Sequence, residues 1–171
     1  MIKEVKLPNG RILINVPANE LYSLGLDEAH IQQLLLVDAQ DAAKIRVLNF
    51  TKRIRQYLYG HSEAERMVGW VEKEKRARRV LAGAATDVDK QQLTIEATKR
   101  GFGETIEQLA QRQIELADIL ALQNAELDGL EIKAVDGVQH ATSIAQVDGL
   151  FEQFKQDAER SLKNIKMYRG A

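Results

Sequence analysis

The sequence predicts a mainly α protein in which an N-terminal β-hairpin is followed by long helices in an extended helical bundle. Three observations predict it. Aromatic residues make up only 5% of the 171 residues, so the core has to rest on Leu, Ile, Val and Ala, the usual filling between helices. Long stretches, among them Asp27 to Tyr59, contain no proline or glycine. The first residues instead alternate about an Asn-Gly pair, a strand-turn-strand signal.

The hairpin runs from Ile2 to Leu7 and from Arg11 to Val16 around Pro8-Asn9-Gly10, where Asn and Gly both accept positive φ. Two strands alone are marginal in water, so they should rest on a helix, pair with a strand of another chain, or both. With Asp27 as N-cap, residues 27–59 read as one helix of about 30 residues, or about 50 Å. Its apolar stripe changes sides. Ile31, Leu34, Ile45 and Leu48 share one face, whereas Phe50, Ile54, Tyr57 and Leu58 point nearly opposite. The helix therefore either breaks near Asn49 or packs against different partners at its two ends.

Gly60 ends that element and Ser62 to Glu65 spell a capping box for the next. Met67, Trp70, Val71, Ala77, Val80 and Leu81 recur at helical spacing until Ala82-Gly83. A shorter helix spans about Asp87 to Arg100, and Gly101-Phe102-Gly103 is a hinge. Glu104 to about Gln139 carries two apolar lines, one through Leu109, Leu116, Leu120, Leu127 and Val138 and one through Ile114, Ala117, Ala121 and Ile132. Such a helix wants two neighbours. Gly129 and Gly137 weaken its second half by about 1 kcal/mol each relative to Ala, which favours fraying or a bend there. Thr142 or Ser143 caps a last helix striped by Val147, Leu150, Phe151, Phe154, Ala158, Leu162 and Ile165. These elements group as an attachment hairpin (1–18), a long helix with a basic helix (19–82) and a helical bundle about a long central helix (83–171).

Chemistry is sparsely provided for. With 0 cysteines there is no thiolate nucleophile, Fe–S cluster or zinc finger, and 3 scattered histidines leave little for a metal. Asp136 and His140 stand i, i+4 and could hold an ion, but two ligands close no site. Asp27-Glu28-Ala29-His30 spells a helicase-like string without any phosphate-binding loop before it, so it reads as an N-cap and surface residues. Gly101-Phe102-Gly103 lacks the strand and third glycine of a dinucleotide site. Neither Glu-x-x-His nor a Ser-His-Asp context occurs. The expectation is no enzyme, no cofactor and no metal. Apolar runs no longer than Leu34 to Val37 and a charged start predict no membrane span and no signal peptide, hence a soluble protein made in a reducing cytoplasm.

Net charge is −1, yet residues 1–100 hold 17 basic against 13 acidic side chains and residues 101–171 hold 7 against 12. The basic excess is concentrated in residues 44–79, with 11 cations against 4 acids. Nucleic acid is one partner for such a stretch, as an accessory protein would bind it. Interleaved acids and a pI near 6.3 favour a solvated face, or a surface that meets the acidic part of another subunit. Candidate partner-binding residues are Phe50, Ile54, Tyr57, Leu58, Trp70, Arg76, Arg78 and Arg79.

The run from Glu72 through Arg76, Arg78 and Arg79 to Gly83, then Leu93 to Gly101, Gly103 to Ala110 and Ile132 to Val138, resembles the helical part of small tailed-bacteriophage tail proteins, over about residues 62–155. Members are described as tail-fibre assembly or accessory tail proteins. The shared pattern is an Arg/Glu-rich helix, a short helix ending in a Gly turn, a long Leu/Ala helix, an Ala/Ile run and a closing helix. This chain departs from it by its hairpin and long first helix. The resemblance implies no catalytic residue. It implies a structural or assembly role through helical and hairpin contacts, other tail or tail-fibre proteins as partners, a homo-oligomer, and a place in the host cytoplasm during assembly or in the virion tail.

Overall fold

The computed structural model describes residues 2–7, 9–59 and 64–168, apart from the side chains of 64–68 and 162–168. The fold is mainly α behind an N-terminal hairpin. Strands β1 (Ile2–Lys6) and β2 (Ile12–Val16) are followed by helices α1 (Ala18–Ser23), α2 (Glu28–Leu58), α3 (Ala64–Leu81), α4 (Asp87–Arg100), α5 (Ile106–Gln139) and α6 (Ile144–Tyr168). The expected end at Gly60 and the capping box from Ser62 to Glu65 lie outside the described residues, as do the side chains of Met67, Leu162 and Ile165.

β1 and β2 pair antiparallel, Ile2 opposite Val16, Glu4 opposite Ile14, Val5 opposite Leu13 and Lys6 opposite Ile12. In their turn Gly10 takes φ +82. A three-residue connection is normally closed by a left-handed glycine in last place. Asn9 contributes its side chain, whose Oδ1 accepts the Arg11 N–H at 3.1 Å.

Two compact units cut across the sequence. One comprises Met1–Ile54 with Leu127–Gly170, the other Arg55–Glu126, so α2 and α5 each contribute residues to both.

In the first unit the hairpin rests on helices. Ile2, Val5, Leu7 and Val16 pack with Leu21 of α1 and Ile31 of α2, rimmed by Leu13, Leu34 and Leu35. The six-residue α1 was not foreseen; Pro17 precedes it, and Gly25, at φ +84, gives its N–H to Tyr22 O. A second cluster joins Ala43 of α2 to Val138, Ala141 and Val147. At Gly137 an added β-carbon would stand 3.4 Å from Leu150 Cδ2, so α6 packs over α5 at this glycine. The α6 cap is Ser143, whose Oγ accepts the Gln146 N–H at 3.2 Å.

In the second unit Ala77, Leu93, Ala97, Leu109 and Ala110 form the core, with Val80, Ile106 and Ile114 against it. Thr86 and Asp89 form a capping box at the start of α4, and Gly101 at φ +71 closes its end.

The long helices correct the expected stripes. α2 is unbroken, and it meets different partners along its length, as the second of the two expected alternatives has it: Ile31 packs with the hairpin, and Ala43 with Val138, Ala141 and Val147. The buried line drifts around the helix, because each i+4 step overshoots a full turn by about 40°. Ile31, Ala43, Val47, Thr51, Ile54 and Leu58 are buried along that drift, while Ile45, Leu48 and Tyr57 stay exposed. Thr51 is tolerated inside because its hydroxyl donates to Val47 O at 2.8 Å. α5 passes through Gly129 and Gly137 without interruption. Leu109, Leu127 and Val138 are buried as expected, but Leu116 and Ile132 are exposed and Gln123 takes an inner position.

Candidate partner-binding surface

The eight candidate residues divide between the two compact units. Phe50 and Ile54 belong to the first unit, whereas Tyr57, Leu58, Trp70, Arg76, Arg78 and Arg79 belong to the second. Ile54 and Leu58 are buried, so their apolar surface serves the fold. Phe50 is half-buried and meets Phe154 of α6 edge-on, with centroids 5.7 Å apart. Trp70 is half-buried beside the Tyr59 ring at 6.4 Å. Tyr57 is exposed, and Arg76 is half-buried.

At least five of the eleven cations of the basic stretch pair with acids of the same chain. Arg78 bonds Glu74 at 2.9 Å and also Asp118 of α5, and these two carboxylates raise its pKa. Arg79 bonds Asp89 of α4 through two nitrogens, at 2.9 and 2.6 Å. Lys73 reaches Glu96 of α4 at 2.8 Å, and Lys75 reaches Glu72 at 2.9 Å. In the first unit Arg46 lies 3.7 Å from Asp148 and 3.9 Å from the Phe151 ring centroid. Apart from the pair of Arg79 with the buried Asp89, these exposed pairs add little stability, but all of them occupy guanidinium and ammonium groups that phosphates would otherwise claim.

The other sequence candidates resolve into local structure. Asp27 Oδ1 accepts the His30 N–H at 2.8 Å, which is N-capping geometry. Asp136 and His140 are an exposed pair 3.3 Å apart, and no group of three metal-ligating side chains occurs among the described residues. Gly101 and Gly103 connect α4 to α5 beside an open groove of about 400 Å³. Glu104 lines that groove with its carboxylate mostly buried, 3.1 Å from Arg100 and 3.5 Å from Arg112. Thr105 and Gln108 cap α5 reciprocally there, at 2.9 and 3.2 Å. No described helix is long and apolar enough to cross a membrane.

A surface feature absent from the eight candidates lies on the hairpin. Ile12 is 56% exposed and Ile14 70%, opposite Lys6 and Glu4 on the face turned away from the buried Val5 and from Leu13. Its signal was legible. A strand with one wet face alternates apolar and polar residues, whereas Ile12, Leu13 and Ile14 are apolar in succession.

The chain matches no family model, no curated protein and no solved structure.

Proposed function

We propose that this chain is a non-catalytic protein that acts by binding other proteins, as a structural or assembly component of a bacteriophage tail or tail fibre. The observation that carries the binding reading is the solvent face of the hairpin, where Ile12 and Ile14 stand uncovered on a sheet of two strands. Contiguous exposed apolar side chains on a short sheet are what a partner covers. The tail setting rests on the resemblance over residues 62–155, and with it come tail or tail-fibre proteins as partners and a homo-oligomeric state. The ion pairs of Arg78, Arg79, Lys73 and Lys75 speak for protein contact over nucleic acid as the use of residues 44–79.

Mass spectrometry of purified particles, beside sizing of the isolated protein, tests the reading. Presence at a fixed small number per tail supports a virion part, and presence only in the lysate bound to fibre protein supports a chaperone. Absence from both overturns the tail assignment. Sub-micromolar, steeply salt-dependent DNA binding that is lost on changing Arg76, Arg78 and Arg79 to Glu would replace it with the nucleic-acid reading.

A further inference from the structure

We propose that the hairpin is a homotypic docking strand: the outer edge of β1 pairs antiparallel with β1 of a second copy of this chain, in the register that sets Glu4 of each copy opposite Lys6 of the other. This inference stands without the tail reading.

The backbone supplies the edge. Leu7 gives its N–H to Arg11 O at 2.8 Å, and Val5 stands opposite Leu13. Since antiparallel strands alternate the direction of their peptide groups, Lys6 and Glu4 turn their N–H and C=O away from β2. No third strand meets them among the described residues. Their side chains are exposed on one face, and Val5 is buried on the other.

Charge then selects the partner and the register. Three symmetric registers about this segment bring outward-facing peptides of one copy against those of the other. One sets Glu4 against Glu4 and another sets Lys6 against Lys6. The third, centred on Val5, sets Glu4 against Lys6 twice. Opposite charges directly across an antiparallel pair stabilise it and like charges destabilise it, so the segment is complementary to itself in one register.

The outer edge of β2 is a poorer template. Asn15 sits at φ +55, and the ladder skips the Lys3 to Asn15 step although Ile2 pairs with Val16 and Glu4 with Ile14. A left-handed residue there twists the edge, a common way to blunt a strand. Pairing through β1 makes a four-stranded sheet in the order β2, β1, β1, β2. Across it, each row on the wet face reads Ile12, Lys6, Glu4, Ile14 from one copy to the other. Four strands over apolar faces are stable where two are marginal.

Sedimentation of the full chain tests this. The wild type is expected to be dimeric. Glu4→Lys and Lys6→Glu should each weaken self-association by about tenfold or more with an unchanged circular dichroism spectrum, since both side chains are exposed. An equimolar mixture of the two variants should recover wild-type affinity, because one chain then carries only lysine and the other only glutamate along the edge. The double variant Glu4→Lys/Lys6→Glu should self-associate like the wild type. A monomeric wild type, a dimer indifferent to either single change, or a mixture that stays dissociated overturns the proposal.

Discussion

Arg79 grips Asp89 with two hydrogen bonds, Nη2 to Oδ1 at 2.6 Å and Nε to Oδ2 at 2.9 Å, and so ties the end of α3 to the start of α4. The same carboxylate closes the α4 capping box by accepting the Thr86 N–H at 3.1 Å. The Arg79 guanidinium first, and the Thr86 backbone second, hold the Asp89 carboxyl well below the ordinary carboxylate range. A carboxyl depressed in this way stabilises the fold fully above its unfolded pKa, near about 4, and the contribution fades as pH falls toward the folded value.

Asp89→Asn should therefore lower the Tm of the chain by a constant amount between about pH 7 and pH 5, and the gap to the wild type should narrow toward about pH 2. Thermal unfolding followed by circular dichroism across that range checks it. A gap that stays constant to the acid end would show that the ion pair contributes nothing through its charge.

Gln123 should be a site of stabilising substitution. It is 2% exposed, and neither its Oε1 nor its Nε2 has a hydrogen-bond partner among the described residues. A buried unpaired amide costs about 1–3 kcal/mol in lost hydration. Gln123→Met, close in shape and without polar atoms to satisfy, should raise the unfolding free energy by about 1 kcal/mol or more in urea titration.

Two glycines should respond with opposite signs. Gly129 lies inside α5 with nothing of the described residues within 4 Å of an added β-carbon, so Gly129→Ala should stabilise by about 0.5–1 kcal/mol through helix propensity. Gly101 closes α4 at φ +71, where a side chain is strained, so Gly101→Ala should destabilise by about 1 kcal/mol. Paired denaturant curves decide both.

The buried line of α2 is testable against the line suggested by periodicity. Val47→Ala removes methyl groups from a fully buried site and should cost about 1–3 kcal/mol. Ile45→Ala, at a residue 51% exposed, should stay within about 0.5 kcal/mol. Equal costs would mean that the helix is turned otherwise in solution.

The sequence by itself determined the hairpin and the long helices, because their signals are local. Alternation and a glycine turn specify the hairpin. The expected helix from Asp87 to Arg100 matches α4 residue for residue, since Gly101 supplies a left-handed stop. The capping boxes of α4 and α5, Thr86 with Asp89 and Thr105 with Gln108, stood in the sequence as well, though periodicity drew attention to the apolar residues instead. Of the surface features, the succession Ile12, Leu13, Ile14 already marked a strand apolar on both faces.

Only the tertiary structure decided which stripe of each long helix is covered. α2 and α5 carry apolar side chains around much of their circumference, so any of several lines satisfies a helical period. The position of the neighbouring element selects among them, and it selected Ala43, Val47 and Thr51 over Ile45 and Leu48. Ion pairs such as Arg78 with Asp118, 40 residues apart, are invisible to composition for the same reason. A count of charges along residues 44–79 records an excess of cations, while the fold sets acids from α4, α5 and α6 beside them. Likewise the division into two compact units crosses α2 and α5, since compactness follows contacts between distant segments and no local signal encodes them.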